Sequence, residues 1–205
     1  MSDLKTYVVG EMSFDPSRDV DALVEEFVRG YYGGAAAPSV LQYLRLMSNS
    51  MLENDVLQDI YGNRLCSDPR APEACEHWIG WANSIFGNKT MLDAAALLRT
   101  AAAAATETRH RQRVEDALMH VQYVVLLRWE GLRSFAQRSK VSWPLSETKQ
   151  EEFTLFAAAF NRSADLPQKG FKHFIQTDHG GTRLPPCDLQ CFHDQVFPKS
   201  QVDIH

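Results

Sequence analysis

The sequence has no long apolar run and no strong excess of basic residues, and both absences narrow its functions. Its 205 residues contain 21 Lys and Arg against 26 Asp and Glu, which gives a formal net charge of -5. Binding to nucleic acid or to an anionic membrane surface needs a basic stripe that replaces counterions. The basic residues between Arg109 and Arg113 are instead flanked by Glu107 and Glu115, as on a solvated helix face. We therefore expect no nucleic-acid partner and no membrane partner.

The sequence also lacks a recognisable export signal at its first residues. Met1 to Asp3 is polar, without the basic and apolar regions of a signal peptide. Two N-glycosylation sequons, which begin at Asn88 and Asn161, are nevertheless compatible with secretion. These residues do not determine where the protein is located.

Cysteine is scarce, and its arrangement leaves two interpretations open. The four cysteines form two local pairs, Cys66 with Cys75 and Cys187 with Cys191. Each pair could be a disulfide in an oxidising compartment or two free thiols in a reducing one. His179 and His193 could add nitrogen ligands for zinc near the second pair, but the spacing matches no common zinc module. We expect neither a metal nor a cofactor.

Helical periodicity dominates the sequence as far as Phe160. From Val20 to Tyr32, apolar residues recur at three- and four-residue steps on one face. Asp19 is placed to cap this helix through its carboxylate, and Gly33 is placed to end it. Further helices are predicted at about Pro38 to Leu52, Glu73 to Phe86, Met91 to Ala105 (with a capping box from Thr90 to Asp93) and Ser146 to Phe160.

The longest helical pattern runs from Glu107 to about Gln137. Its apolar residues alternate three- and four-residue steps from Val114 to Phe135, which is typical of a helical-bundle seam that Arg128 interrupts. The fold class predicted is mainly α: five or six helices in a bundle-like array, with this helix as the central member.

Tyr7 to Met12 departs from the helical pattern. These residues are β-forming and largely apolar, so they predict one short strand that runs into a turn at Asp15 and Pro16. Gly170 to Gln176 resembles a second strand. Because a single strand leaves its backbone groups unpaired, we expect Tyr7 to Met12 to fray, to pair with Phe171 to Gln176, or to self-associate edge to edge with another chain.

A strand, an aromatic-Asp-Pro turn at Phe14, and a helix that ends in Gly30-Tyr31-Tyr32-Gly33 follow one another in this sequence. In this order, residues 7–47 resemble the end of domain-of-unknown-function family 4838, a bacterial glycoside-hydrolase-like group related to the α-glucuronidases. The turn aromatic is Phe14 where that family usually has Trp. The resemblance implies that the strand is the last of a TIM barrel and that a helical C-terminal region follows.

The resemblance also implies a division of the chain. Residues 1–16 would be a remnant of the last barrel strand and its turn, residues 17–183 a helical domain with a short terminal strand, and residues 184–205 a loosely ordered tail. Carbohydrate would then be bound only through a barrel missing from this chain, and the parent protein would be extracellular. We predict a helical, non-catalytic portion of a glycoside-hydrolase-like protein, with a stand-alone helical interaction module as the alternative.

Glu11, Phe14 and Asp15 are the candidate substrate-binding residues. They lie at the end of the predicted strand, where a TIM barrel assembles its active site. Phe14 could stack on a sugar ring, and Glu11 or Asp15 could accept hydrogen bonds from its hydroxyls. Alternatively Asp15 is a turn residue, Phe14 a core aromatic and Glu11 solvent-facing. The neighbours Glu25-Glu26 and Glu151-Glu152 point in different directions and cannot form an acid/base pair, so no residue is assigned as catalytic.

Overall fold

The computed structural model describes residues 2–53, 87–164 and 189–197, and these residues form eight helices and no strand. The mainly α class is confirmed. The helices are α1 (Ser2–Phe14), α2 (Val20–Tyr32), α3 (Ala37–Glu53), α4 (Asn88–Ala104), α5 (Thr108–Leu127), α6 (Trp129–Ser139), α7 (Lys149–Ala164) and α8 (Leu189–Val196). The helix predicted at Glu73 to Phe86 and the strand predicted at Gly170 to Gln176 lie outside the described residues.

Helix α2 has the ends that the sequence predicted. The Asp19 carboxylate accepts a hydrogen bond of 2.8 Å from the backbone N–H of Ala22, which satisfies one of the free donors of the first turn. Gly33 follows with a φ of 87°, and its N–H donates to the carbonyl of Arg29. Glycine suits this position because it has no Cβ to oppose a positive φ.

Helix α5 is the centre of the bundle and packs against α2, α4, α7 and α8. The prediction of one helix from Glu107 to Gln137 was wrong in its continuity, since the chain leaves helical geometry at Arg128, with φ -110° and ψ 17°. A charged side chain on an apolar seam is costly to bury. At this break the half-buried Arg128 donates a 2.7 Å hydrogen bond to the side-chain oxygen of Asn88, while Trp129 and Leu132 return to the core.

Helix α4 begins earlier than predicted. Gly87 precedes its first residue, Asn88, so Thr90 lies inside the first turn and does not cap the helix. The N–H of Met91 donates to the Gly87 carbonyl at 2.9 Å. The buried face of α4 is rich in alanine, which lets α4 approach α5 closely; its buried residues are Met91, Leu92, Ala94, Ala95, Leu98 and Ala101.

Helices α7 and α8 close the other side of α5. The predicted start of α7 at Ser146 is wrong by three residues: the helix begins at Lys149, after a capping box in which Thr148 and Glu151 each accept from the other's N–H. In α8 the Phe192 side chain is only 1 % exposed and stacks on Tyr123. Residues 189–196 of the predicted tail are thus helical, whereas the division of the chain into domains stays a prediction.

Tyr7 to Met12 is helical, and the prediction of a strand there was wrong. In α1 the half-buried residues Leu4, Tyr7, Val8 and Glu11 recur at helical steps and face α2, whereas Val9 is exposed. No strand is available to pair with this segment among the described residues. A helix satisfies its own backbone donors and acceptors, and this outweighs the β-forming character of the side chains.

Candidate functional site

The three predicted site residues lie at the junction of α1 and α2. Glu11 is in the last turn of α1, where its carboxylate pairs with the guanidinium of Arg18. Arg18 also donates to the Glu26 carboxylate at 2.8 Å, and the Tyr7 hydroxyl donates to the other oxygen of Glu26 at 2.7 Å. We call Tyr7, Glu11, Arg18 and Glu26 the hairpin cluster. It joins both helices to the turn between them.

Asp15 and Phe14 are not part of that cluster. One oxygen of Asp15 accepts hydrogen bonds from the N–H of Ser17 at 3.0 Å and from its hydroxyl at 2.6 Å, which is the geometry of an Asx turn. The Phe14 ring is 92 % exposed, so it is not a core aromatic. The structure thus brings Glu11 into a hydrogen-bonded group with Arg18 and leaves Phe14 facing solvent.

The contacts of the hairpin cluster favour the ionised form of Glu26. The hydrogen bonds from Tyr7 and Arg18 hold the pKa of Glu26 below its ordinary value, and the same contact with Glu26 raises the pKa of Tyr7. The hydrogen bonds from Ser17 lower the pKa of Asp15. A general acid near neutral pH needs a raised carboxyl pKa, so Glu26 and Asp15 are unsuited to that role.

A second polar centre, which the sequence analysis missed, lies inside the bundle at Glu152. Its side chain is 0 % exposed. Arg99 donates to its two oxygens at 2.8 and 2.7 Å, and Gln122 donates at 2.5 Å. The N–H and hydroxyl of Ser146 donate to the second oxygen at 2.9 and 2.7 Å. This network joins α4, α5, α7 and the segment that precedes α7.

The Glu152 network is suited to holding helices together. The five hydrogen bonds engage both carboxylate oxygens, and a buried charge needs this satisfaction. A sequence signal existed: Glu152, Phe156 and Ala159 share one helical face, and a carboxylate on an apolar stripe predicts a buried partner. In the sequence, Glu152 drew attention only as one of an adjacent acidic pair.

The described part of the chain also bears on metal binding and on the spanning of a membrane. Within it, no group of three or more His, Cys, Asp and Glu side chains could hold a metal ion. No helix there is long and apolar enough to cross a membrane. The pairs Cys66 with Cys75 and Cys187 with Cys191 include positions outside the described side chains, so both disulfides stay predictions.

Residues 1–45 match the family model described as Domain of unknown function (DUF4838). The match covers α1, α2, the hairpin cluster and the first half of α3. No curated protein and no solved structure matches the chain. The family model thus relates the N-terminal 45 of the 205 residues to a family and leaves the central bundle helices unmatched.

Proposed function

We propose that this chain is the helical, non-catalytic portion of a glycoside-hydrolase-like carbohydrate-active protein, in which it supports a catalytic barrel. The family-model match over residues 1–45 supports the family part of this proposal. The relation to glycoside hydrolases rests on a sequence resemblance: the aromatic-Asp-Pro turn and the helix after it resemble those of the glycoside-hydrolase-like family.

One observation carries the supporting role. Within the matched region, α2 and α3 are built into the bundle, with Leu23, Val28 and Val40 each 0 % exposed. None of residues 3–14 of α1 is fully buried, and Val9 and Phe14 face solvent. The matched region is therefore anchored in the bundle at one end and offers free surface at the other, as a segment that contacts a further domain would.

The state of the carboxylates favours a non-catalytic role. Hydrogen bonds lower the pKa values of Glu26 and Asp15, and Glu152 is enclosed with both oxygens engaged. Glycoside hydrolysis needs two carboxyl groups on opposite sides of one scissile bond, one of them with a raised pKa. Glu26, Asp15 and Glu152 do not meet this requirement.

The test combines an activity assay with the gene sequence. We expect highly purified chain to show no turnover of aryl-glycosides or glucuronides, and the Glu11→Gln and Asp15→Asn variants to be equally inactive. Turnover by the native chain that either variant abolishes would contradict the proposal. We also expect the reading frame to continue upstream of the Met1 codon into repeated βα units. A promoter and a stop codon directly upstream would overturn the proposal as well.

A stand-alone helical interaction module is the second candidate, and one observation favours it. Tyr7 to Met12 is helical and bonds within the chain, through Tyr7 to Glu26, and so needs no neighbouring barrel strand. This candidate predicts a native start at Met1 and a stable, monodisperse product. The upstream gene sequence separates the two candidates, because they predict opposite results.

A further inference from the structure

We infer that α1 is a releasable strap, fastened on α2 by the hairpin cluster, which opens as a unit while the rest of the bundle stays folded. The inference goes beyond the proposed function and holds for either candidate. It rests on how α1 is attached, on the sequence of α1, and on the contact that α5 makes with α2.

The ion pairs that fasten α1 lie at the surface. Among the described helices, α1 packs chiefly on α2. Arg18 connects Glu11 of α1 with Glu26 of α2. These three side chains are 34 to 57 % exposed. Towards the start of α1, Asp3 accepts a 2.9 Å hydrogen bond from the Tyr31 hydroxyl. Exposed contacts of this kind contribute little to stability and are screened by salt.

The sequence of α1 is a poor helix former at its centre. Tyr7, Val8 and Val9 are aromatic or β-branched, and Gly10 follows them. Such residues lower helix stability because side-chain rotamers or backbone freedom are lost. A 13-residue helix is also marginal in water without tertiary burial. Since none of residues 3–14 is fully buried, α1 depends on its contacts with α2 to stay helical.

The aromatic face of α2 under α1 is also held by a contact from α5. The rings of Phe27 and Tyr31 stack at 4.9 Å, and Tyr7 of α1 lies 5.5 Å from Phe27. The guanidinium carbon of Arg113 in α5 lies 3.8 Å from the centroid of the Tyr31 ring, and Arg113 donates to the Tyr31 carbonyl at 2.8 Å. Release of α1 therefore uncovers Phe27 and removes the hydroxyl bond of Tyr31, while Arg113 still holds the Tyr31 ring and carbonyl.

The test is amide hydrogen exchange measured by mass spectrometry on the whole chain. We expect amides of α1 to exchange far faster than those of α5, and Arg18→Gln to accelerate exchange in α1 by roughly threefold, because one substitution breaks both ion pairs. Tyr7→Phe, which keeps the ring and removes the bond to Glu26, should have a smaller effect in the same direction. Added salt should accelerate α1 exchange in the native chain more than in Arg18→Gln.

Arg29→Gln is the matched control, since it removes an exposed ion pair of the same type that lies wholly within α2, between Arg29 and Glu25. It should leave exchange in α1 unchanged. Protection of α1 equal to that of α5 would overturn the inference. So would an Arg18→Gln variant in which α5 and α7 loosen together with α1, because α1 would then belong to the cooperative core.

Discussion

At the scale of single residues, Gly33 has the strongest backbone requirement among the described glycines. Its φ is 87°, and a Cβ at this position would lie 2.6 Å from Nδ1 of His110. We expect Gly33→Ala to lower the free energy of unfolding by about 1–3 kcal/mol, through backbone strain and displacement of the imidazole. Denaturant unfolding followed by circular dichroism measures this change.

Gly34→Ala is the control for that substitution. Its Cβ would meet nothing within 4 Å, and its φ is not positive. The free energy of unfolding should therefore change little or rise slightly, since alanine restricts the unfolded chain. Equal losses in both variants would show that the requirement at Gly33 has been misjudged.

Tyr31 makes the stability of the fold depend on pH in the alkaline range. Burial and the hydrogen bond to Asp3 raise its pKa from 10.0 to about 12. Because the pKa is higher in the folded state, the protonated Tyr31 stabilises the fold below pH 10. The fold loses this contribution as the pH rises towards 12. We expect the melting temperature of the native chain, relative to Tyr31→Phe, to fall over this interval. A constant difference between the melting temperatures of the two proteins over this pH interval would contradict the raised pKa of Tyr31.

Residues whose roles are local could be read from the sequence, and those with distant partners could not. Asp19 and Gly33 act on their own helix ends, and both were predicted. The hydrogen bonds of Glu152 come from Arg99 and Gln122, which are 53 and 30 residues away. No spacing rule reports such a pairing, because it depends on how the helices pack.

At the scale of elements, the Glu152 network fastens α7 to the bundle. Glu152→Gln keeps the shape but replaces one acceptor oxygen with an NH₂ group, which must then face other donors. We expect a loss of at least about 2 kcal/mol in the free energy of unfolding, since the partners are left unsatisfied. Thermal and denaturant unfolding both measure this loss.

Glu151→Gln is the neighbouring control. Glutamine can keep the capping box with Thr148, so the cost should stay below about 0.5 kcal/mol. If both variants lost the same free energy of unfolding, loss of any negative charge near the start of α7 would explain the effect. The buried network would then make no contribution of its own.

The helices were predicted best where their periodicity was amphipathic and continuous. α2 and the body of α5 have one buried stripe each, which the spacing revealed. The break at Arg128 was visible in the sequence only as a charge on the seam; its consequence depends on Asn88, which comes from α4. In α1 the β-forming triplet from Tyr7 to Val9 suggested a strand, although Leu4, Tyr7, Val8 and Glu11 follow a helical period.

At the scale of the whole molecule, we expect α1 to be dispensable for folding of the bundle. Deletion of residues 2–14 removes no fully buried side chain of the described part of α1. The melting temperature should change by less than about 3 °C. Sedimentation velocity of the same variant tests whether this segment mediates self-association. If it does, the variant should self-associate less than the native chain. Unfolding of the bundle on deletion would make α1 part of a self-standing domain and favour the interaction module.

Phe192 has a consequence for biosynthesis. Its ring lies between α5 and α7, where it stacks on Tyr123 at 4.7 Å and is tilted against Phe156 at 4.9 Å. A ribosome completes α7 28 codons before it reaches this phenylalanine. At about 5–20 residues per second, this interval lasts roughly 1–6 s. During that interval the nascent chain presents an uncovered aromatic surface, and any shortened version that stops before Leu189 presents it permanently. Chaperone dependence and poor solubility should therefore appear in such truncations before any change in helix content.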